Sequence, residues 1–116
     1  MNVGELLAHL GECNEEATVC CIMQSEKDAS IYDTVVIRTE EEKELVDIIV
    51  MNISGKGITV KMLMDDLKSY NANLPVCIKE NRLKQIHFPY QVNGIKNNGD
   101  LVYLEIPKLM AGLFKE

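Results

Sequence analysis

The sequence predicts an α+β domain of two α-β-β-β repeats, with a mainly antiparallel sheet and both helices packed on it. Three observations carry this. The stretch VGELLAHLGECNEEATVCC (3–19 with Cys20 and Cys21) recurs without a gap 57 residues on, as VKMLMDDLKSYNANLPVCI (60–78). Each copy begins with apolar residues at helical spacing and ends in a short β-type run. The rest of each half alternates in strand fashion, broken by turn residues. The identities are Val3/Val60, Leu6/Leu63, Leu10/Leu67, Asn14/Asn71, Val19/Val76 and Cys20/Cys77. They fall where packing would demand them. The expected organisation is one pseudo-symmetric domain over 1–116, with repeat 1 at 1–53, a joint at 54–57 and repeat 2 at 58–116.

Taken in order, the first helix is expected to start at Asn2, whose side chain caps it while Glu5 completes a capping box. Val3, Leu6 and Leu10 lie on one face, and Gly11 ends the helix. Thr18–Met23 follows as a strand, with Val19 and Cys21 pointing one way and Cys20 and Ile22 the other. Thr34–Thr39 and Leu45–Ile53 read as strands on either side of the acidic bend Glu40–Glu44. Because Leu45–Ile53 is apolar on both faces, its expected place is central or against the other half. Thr59 caps the second helix, which the 71–75 stretch, closing on Pro75, is expected to end. Strands are then expected at Pro75–Lys79, Gln85–Phe88, Tyr90–Ile95 and Leu101–Ile106. Pro89 marks an edge or bulge, and the Asn98-Gly99 pair marks a hairpin. Lys108–Phe114 reads as a short helix covering an edge, or as a partner-binding segment.

Composition narrows function. The chain has 116 residues, 47% apolar and 26% charged, which is one domain with a packed core. Trp is absent and the net charge is −6. Few stacking surfaces and an acidic balance argue against general nucleic-acid or anionic-membrane binding. No apolar stretch approaches membrane-spanning length, no signal-peptide pattern opens the chain, and no CxxC pair occurs among the four cysteines. A cytoplasmic protein with reduced thiols is expected. The charge is uneven. Residues 1–57 carry four Lys/Arg against twelve Asp/Glu, and residues 58–116 carry eight against six. Such a split is expected if each half faces different surroundings, if the acidic half of one copy meets the basic half of another, or if surface charge has drifted after duplication.

Several motifs bear on chemistry. The joint Ser54-Gly55-Lys56-Gly57 stands between a strand and a helix, where phosphate-cradling loops occur. It completes neither GxGxxG nor the Walker pattern, and reads first as a flexible joint. Cys20 and Cys77, as repeat equivalents, would with His9, Cys13 or His87 make a metal site only if the fold joined them. Without paired ligand spacing they read as small core residues, and no metal or cofactor is expected. Asp65-Asp66 and the Glu40–Glu44 run read as solvated faces. The segment Lys79–Tyr90 gathers Lys79, Arg82, Lys84 and His87 and ends in Phe88 and Tyr90, which reads as a basic-aromatic contact cluster on an acidic chain or as an edge-strand approach whose charges guard against aggregation. No nucleophile elbow, HExxH or kinase motif occurs.

The run Ile58–Leu67 followed by Leu74–Ile78, a threonine-capped helix, a proline turn and a Val-rich strand, resembles a pattern in small uncharacterised bacterial and prophage proteins. That resemblance covers about half the chain and implies at most a mobile-element or accessory origin, without catalytic residues to transfer. The function expected is therefore a small non-enzymatic protein-interaction module, with a homodimer in view. Its contact surface is placed at Lys79, Arg82, Lys84, His87 and Tyr90. The alternative is a binder of a small anionic ligand between the repeats, a nucleotide or phosphorylated metabolite, through Gly55, Lys56, Gly57, Thr59 and His87.

Overall fold

The computed structural model describes residues 1–25, 28, 30–55, 57–81 and 90–107. Helix α1, Val3–Leu10, begins where Asn2 adopts an extended conformation. Asn2 Oδ1 accepts the Glu5 amide at 2.8 Å, and Glu5 Oε1 accepts the Asn2 amide at 3.0 Å. The capping box is complete. Gly11 ends this helix in a right-handed conformation, its amide donating to Leu7 O at 3.0 Å. Helix α2, Val60–Leu67, is capped by Thr59 Oγ1, which accepts the Met62 amide at 3.3 Å. It ends earlier than expected, at Lys68 rather than in the 71–75 stretch. Turns close through Ser69, Tyr70 and Leu74 instead, the last donating to Asn71 O. Val3, Leu6 and Leu10 of α1 and Val60, Leu63 and Leu67 of α2 are wholly buried.

Among the described residues, seven strands form one sheet: β1 Thr18–Gln24, β2 Ile31–Glu41, β3 Val46–Met51, β4 Val76–Glu80, β5 Tyr90–Gln91, β6 Gly94–Asn98 and β7 Leu101–Glu105. Their order is β5-β4-β3-β2-β1-β7-β6. β1 runs parallel to β7 and β3 parallel to β4, while the other four pairings are antiparallel. β3 lies inside the sheet between β2 and β4 of the second half, and five of its six residues are buried, which agrees with its two apolar faces. β2 is longer at both ends than the expected Thr34–Thr39, taking in Ile31 and the first glutamates of the acidic run. The expected Tyr90–Ile95 strand is divided, because Val92 and Asn93 belong to opposite sides of the sheet. Val92 N donates to Val76 O at 3.0 Å and Asn93 N to Glu105 O at 2.9 Å. Two adjacent residues thus join β4 to β7, so the sheet curls until its edges meet. The β6–β7 hairpin turns at Gly99-Asp100, with Asn98 opposite Leu101 and Gly99 at φ +74°. The expected strand Gln85–Phe88, Pro89 and the segment Lys108–Phe114 lie outside the described residues.

Strand alternation sorts the two sides of the curl. Val19, Cys21 and Met23 of β1, Val46, Ile48 and Val50 of β3, Val76 and Ile78 of β4, and Val102 and Leu104 of β7 face inward with the helix stripes. Cys20 and Cys77 are buried but stand outside that inner cluster. Their alternation sets them on the outer side. Thr34 Oγ1 satisfies itself inside on Cys21 O at 2.8 Å.

The two halves interlock through the starts of their helices. Val3 N donates to Leu74 O, and 57 residues on Val60 N donates to Ala17 O, each at 2.9 Å. Gly4 N to Ala72 O is matched by Lys61 N to Glu15 O, and Val19 N to Ile58 O by Val76 N to Met1 O. The isolated bridges Asn2–Pro75 and Thr18–Thr59 obey the same offset. Each helix start is thus bonded to the approach of the other half's first strand.

Beside this junction β2 changes register between Val36 and Arg38. Gly57 fits into that irregularity, where a Cβ would stand 2.5 Å from Val36 O and 2.7 Å from Val35 Cβ. The Ile58 amide also donates to Val36 O at 2.9 Å. Gly57→Ala is therefore expected to force the joint off β2 and cost about 1–3 kcal/mol, as overpacking does. A urea-unfolding midpoint measures it; an unchanged midpoint would show that the joint moves freely.

Candidate functional site

A cleft of about 520 Å³ opens where the ends of β1, β2 and β7 come together. Alternation brings Met23 and Leu104 to its inner wall and Ile22, Ile31 and Tyr103 to its outer one. Ile106 and Pro107, just past β7, continue the apolar wall, and Tyr90 enters from β5. Lys96 and Glu105 add one charge of each sign to the lining. The volume is that of a small-ligand or side-chain pocket, and the lining is chiefly apolar. Ile31 is 69% and Ile22 45% exposed, so two large apolar side chains stand in water beside the opening.

The outer face of β2, β1, β7 and β6 continues from that opening. Val35 pairs with Cys20, Cys20 with Tyr103 and Tyr103 with Lys96, one row across four strands. Asp33 stands opposite Ile22 at the β2 border, and exposed Leu101 lies at the far end of β7.

Of the predicted contact residues, Lys79 and Tyr90 are described. Lys79 is on the outer side of β4, its Nζ 3.7 Å from Glu42 Oε1. Tyr90 pairs with Ile78, which faces inward, and lines the cleft. The two therefore lie on opposite faces of the sheet. Arg82, Lys84 and His87 lie outside the described residues. On the anion-binding side, Gly55 takes φ +142°, and Lys56 lies outside the described residues. Gly57 faces β2 closely, and Thr59 uses its hydroxyl as the helix cap. The four amides that open α2 are already bonded: Val60 to Ala17 O, Lys61 to Glu15 O, and Met62 and Leu63 to Thr59. A helix N-terminus draws an anion through open amides, and these have partners within the chain.

Cys20 and Cys77 are not brought together, since β2 and β3 lie between their strands. Among the described residues no group of three metal-ligating side chains forms. Burial pushes the Cys21 thiol up to about 12 and raises Cys13, Cys20 and Cys77 as well, so all four are held as thiols at neutral pH.

One polar group had no signal in the sequence. Asp47 sits on the outer side of β3, between Glu40 of β2 and Cys77 of β4. It is 2% exposed, and its Oδ1 has no hydrogen-bond partner. Burial above all, with Glu42 and Glu40 adding and Lys79 opposing, pushes its carboxyl up to about 6.

Comparison with family models, curated proteins and solved structures returned no match. The site therefore rests on its own geometry. The cleft joins three stretches far apart in the chain, near 22–31, 90–96 and 103–107. The one hint in the sequence was the outward phase of Ile22. No helix among the described residues is long and apolar enough to cross a membrane.

Proposed function

We propose that the chain is a small non-enzymatic protein-interaction module that engages its partner through the cleft and the adjoining outer face of β2, β1, β7 and β6. The observation that carries this reading is the pair Ile22 and Ile31 standing exposed beside an apolar opening. Folding offers no gain for such side chains in water, whereas a partner's apolar side chain entering the cleft would cover both. The surface differs from the one expected from the basic segment alone, but Tyr90, the described end of that segment, belongs to it. The reciprocal bonds between the halves support a duplicated, pseudo-symmetric unit as its scaffold. Four unpaired cysteines support a reducing compartment, the cytoplasm. The prophage-type origin remains a proposal resting on the sequence pattern.

The test is affinity capture from a bacterial extract with the wild-type chain and Ile31→Asp, compared by quantitative mass spectrometry. Because Ile31 is so exposed, the variant is expected to keep its melting temperature within about 2 °C while losing tenfold or more of the specifically captured protein. Equal capture by both would overturn this surface.

A further inference from the structure

We infer that the outer side of β2, β3 and β4 takes an arginine side chain of a partner protein, its guanidinium seated between Asp47 and Glu42. This contact lies apart from the cleft and adds a second point, read by charge, to the surface of the chain.

Charge pairs single out Asp47. Glu40, Asp47 and Cys77 form one row across β2, β3 and β4, and Glu42 stands just past the end of β2. Two cations reach this cluster. Arg38 Nε donates to Glu40 Oε2 at 2.9 Å, and Lys79 Nζ lies 3.7 Å from Glu42 Oε1. Asp47 is left over, with no ion pair to any described residue. It is also the buried one, only 2% exposed, and its Oδ1 has no hydrogen-bond partner among the described residues. A buried carboxylate is costly unless a cation or donors meet it, so the cluster is one cation short. Groups left in this condition gather at functional sites, where stability is given up for binding.

The chemistry of the ligand follows from the same geometry. Among the described residues no three metal-ligating side chains converge. Two neighbouring carboxyl groups, Asp47 and Glu42, instead suit a guanidinium, whose fork donates to both at once. A guanidinium is also more weakly hydrated than an ammonium, so it loses less on entering a buried position. Asp47 stands outside the inner apolar cluster, and the side chains of Glu42 and Lys79 beside it are partly exposed, so the position opens to solvent through them. A proton does not fill the place at neutral pH. Burial above all, then Glu42, holds the carboxyl at about 6, and above that value the charge is present.

The test uses N-acetylarginine amide as probe and follows the backbone amide resonances of Asp47, Ile48 and Cys77 at pH 7.5. These should shift saturably with a dissociation constant of about 1–20 mM, as a single buried ion pair gives. N-acetylcitrulline amide, which has the shape without the charge, should leave them in place. Asp47→Asn should weaken binding tenfold or more while remaining folded, since it removes a buried charge and no packing. At pH 5 the wild type should bind about tenfold more weakly, because Asp47 then holds its proton. Arg38, Glu40, Glu42, Cys77 and Lys79 face the same carboxyl, and the Asp47→Asn profile separates their titration from its own. No saturable shift up to about 50 mM probe, equal shifts from the citrulline compound, or binding by Asp47→Asn as tight as wild type would overturn the inference. Equally tight binding of N-acetyl-lysine amide would overturn the guanidinium. Ile31→Asp, at the other end of β2, should bind the probe as wild type does, so this contact and the cleft stand or fall separately.

Discussion

Leu63→Ala should cost about 2–5 kcal/mol of folding stability, and Leu6→Ala should cost the same to within about 1 kcal/mol. Both leucines are completely buried in one apolar cluster, each at the centre of its helix stripe between a buried valine and a buried leucine. Removing either leaves a cavity that the curled sheet closes around only in part. Domains of this size hold about 5–15 kcal/mol, so either change takes a large share of the total. Urea unfolding followed by circular dichroism measures it through the midpoint at constant slope. Similar losses at the two positions are what equivalent packing of α1 and α2 requires. A loss at Leu63 with none at Leu6 would mean that the two helices contribute unequally to the core.

Asp47→Asn is the second large effect, and its sign depends on pH. The ordinary Asp value is 3.8 and the folded-state value is about 6, so the folded chain holds a proton that the unfolded chain has released between those two values. The group's contribution is thus most favourable below pH 4. It falls as pH rises through about 6, and above that the folded state carries a buried carboxylate with one oxygen unpartnered. Asparagine has no such charge to bury. The variant is expected to be more stable than wild type by about 1–3 kcal/mol at pH 8, with the advantage fading towards pH 4. Glu40, Glu42, Lys79 and Cys77 surround the position, and the comparison between variant and wild type at each pH separates Asp47 from them. Parallel stability profiles from pH 4 to pH 8 would show that Asp47 ionises as an ordinary carboxyl.

Much of the fold is legible in the sequence alone. Asn2 with Glu5, and Thr59, announce helix starts because a cap bonds within its own first turn. The Val-Leu-Leu stripes announce which face is buried because helical period needs only near neighbours. Leu45–Ile53 announced a strand at the centre or against the other half, because apolar residues at consecutive positions need cover on both sides, and β3 lies inside the sheet beside β4 of the second half. The end of α2 was less legible. Asn71 and Pro75 are strong helix stops, but the chain leaves the helix at Lys68, where turns through Ser69 and Tyr70 take over. The division of 90–98 into β5 and β6 was not legible at all. Val92 and Asn93 look like ordinary strand residues, and only the meeting of β4 and β7 on either side of them sends their amides in opposite directions.

The candidate site divides in the same way. The basic segment stood out in composition, yet Lys79 and Tyr90 face opposite sides of the sheet, because the face a side chain takes is set by strand pairing and not by closeness in sequence. Cys20 and Cys77 looked like partners as repeat equivalents, and two intervening strands keep them apart.

By itself the sequence determined the helices, their caps and buried stripes, the alternation of the strands and the hairpin near Gly99. Each of these is set by bonds and side-chain directions within a few residues. Only the tertiary structure decided the strand order, the curl that joins β4 to β7, the cleft between Ile31 and Tyr103, and the burial of Asp47. These depend on which distant strands become neighbours, and that choice is made by the whole core closing at once.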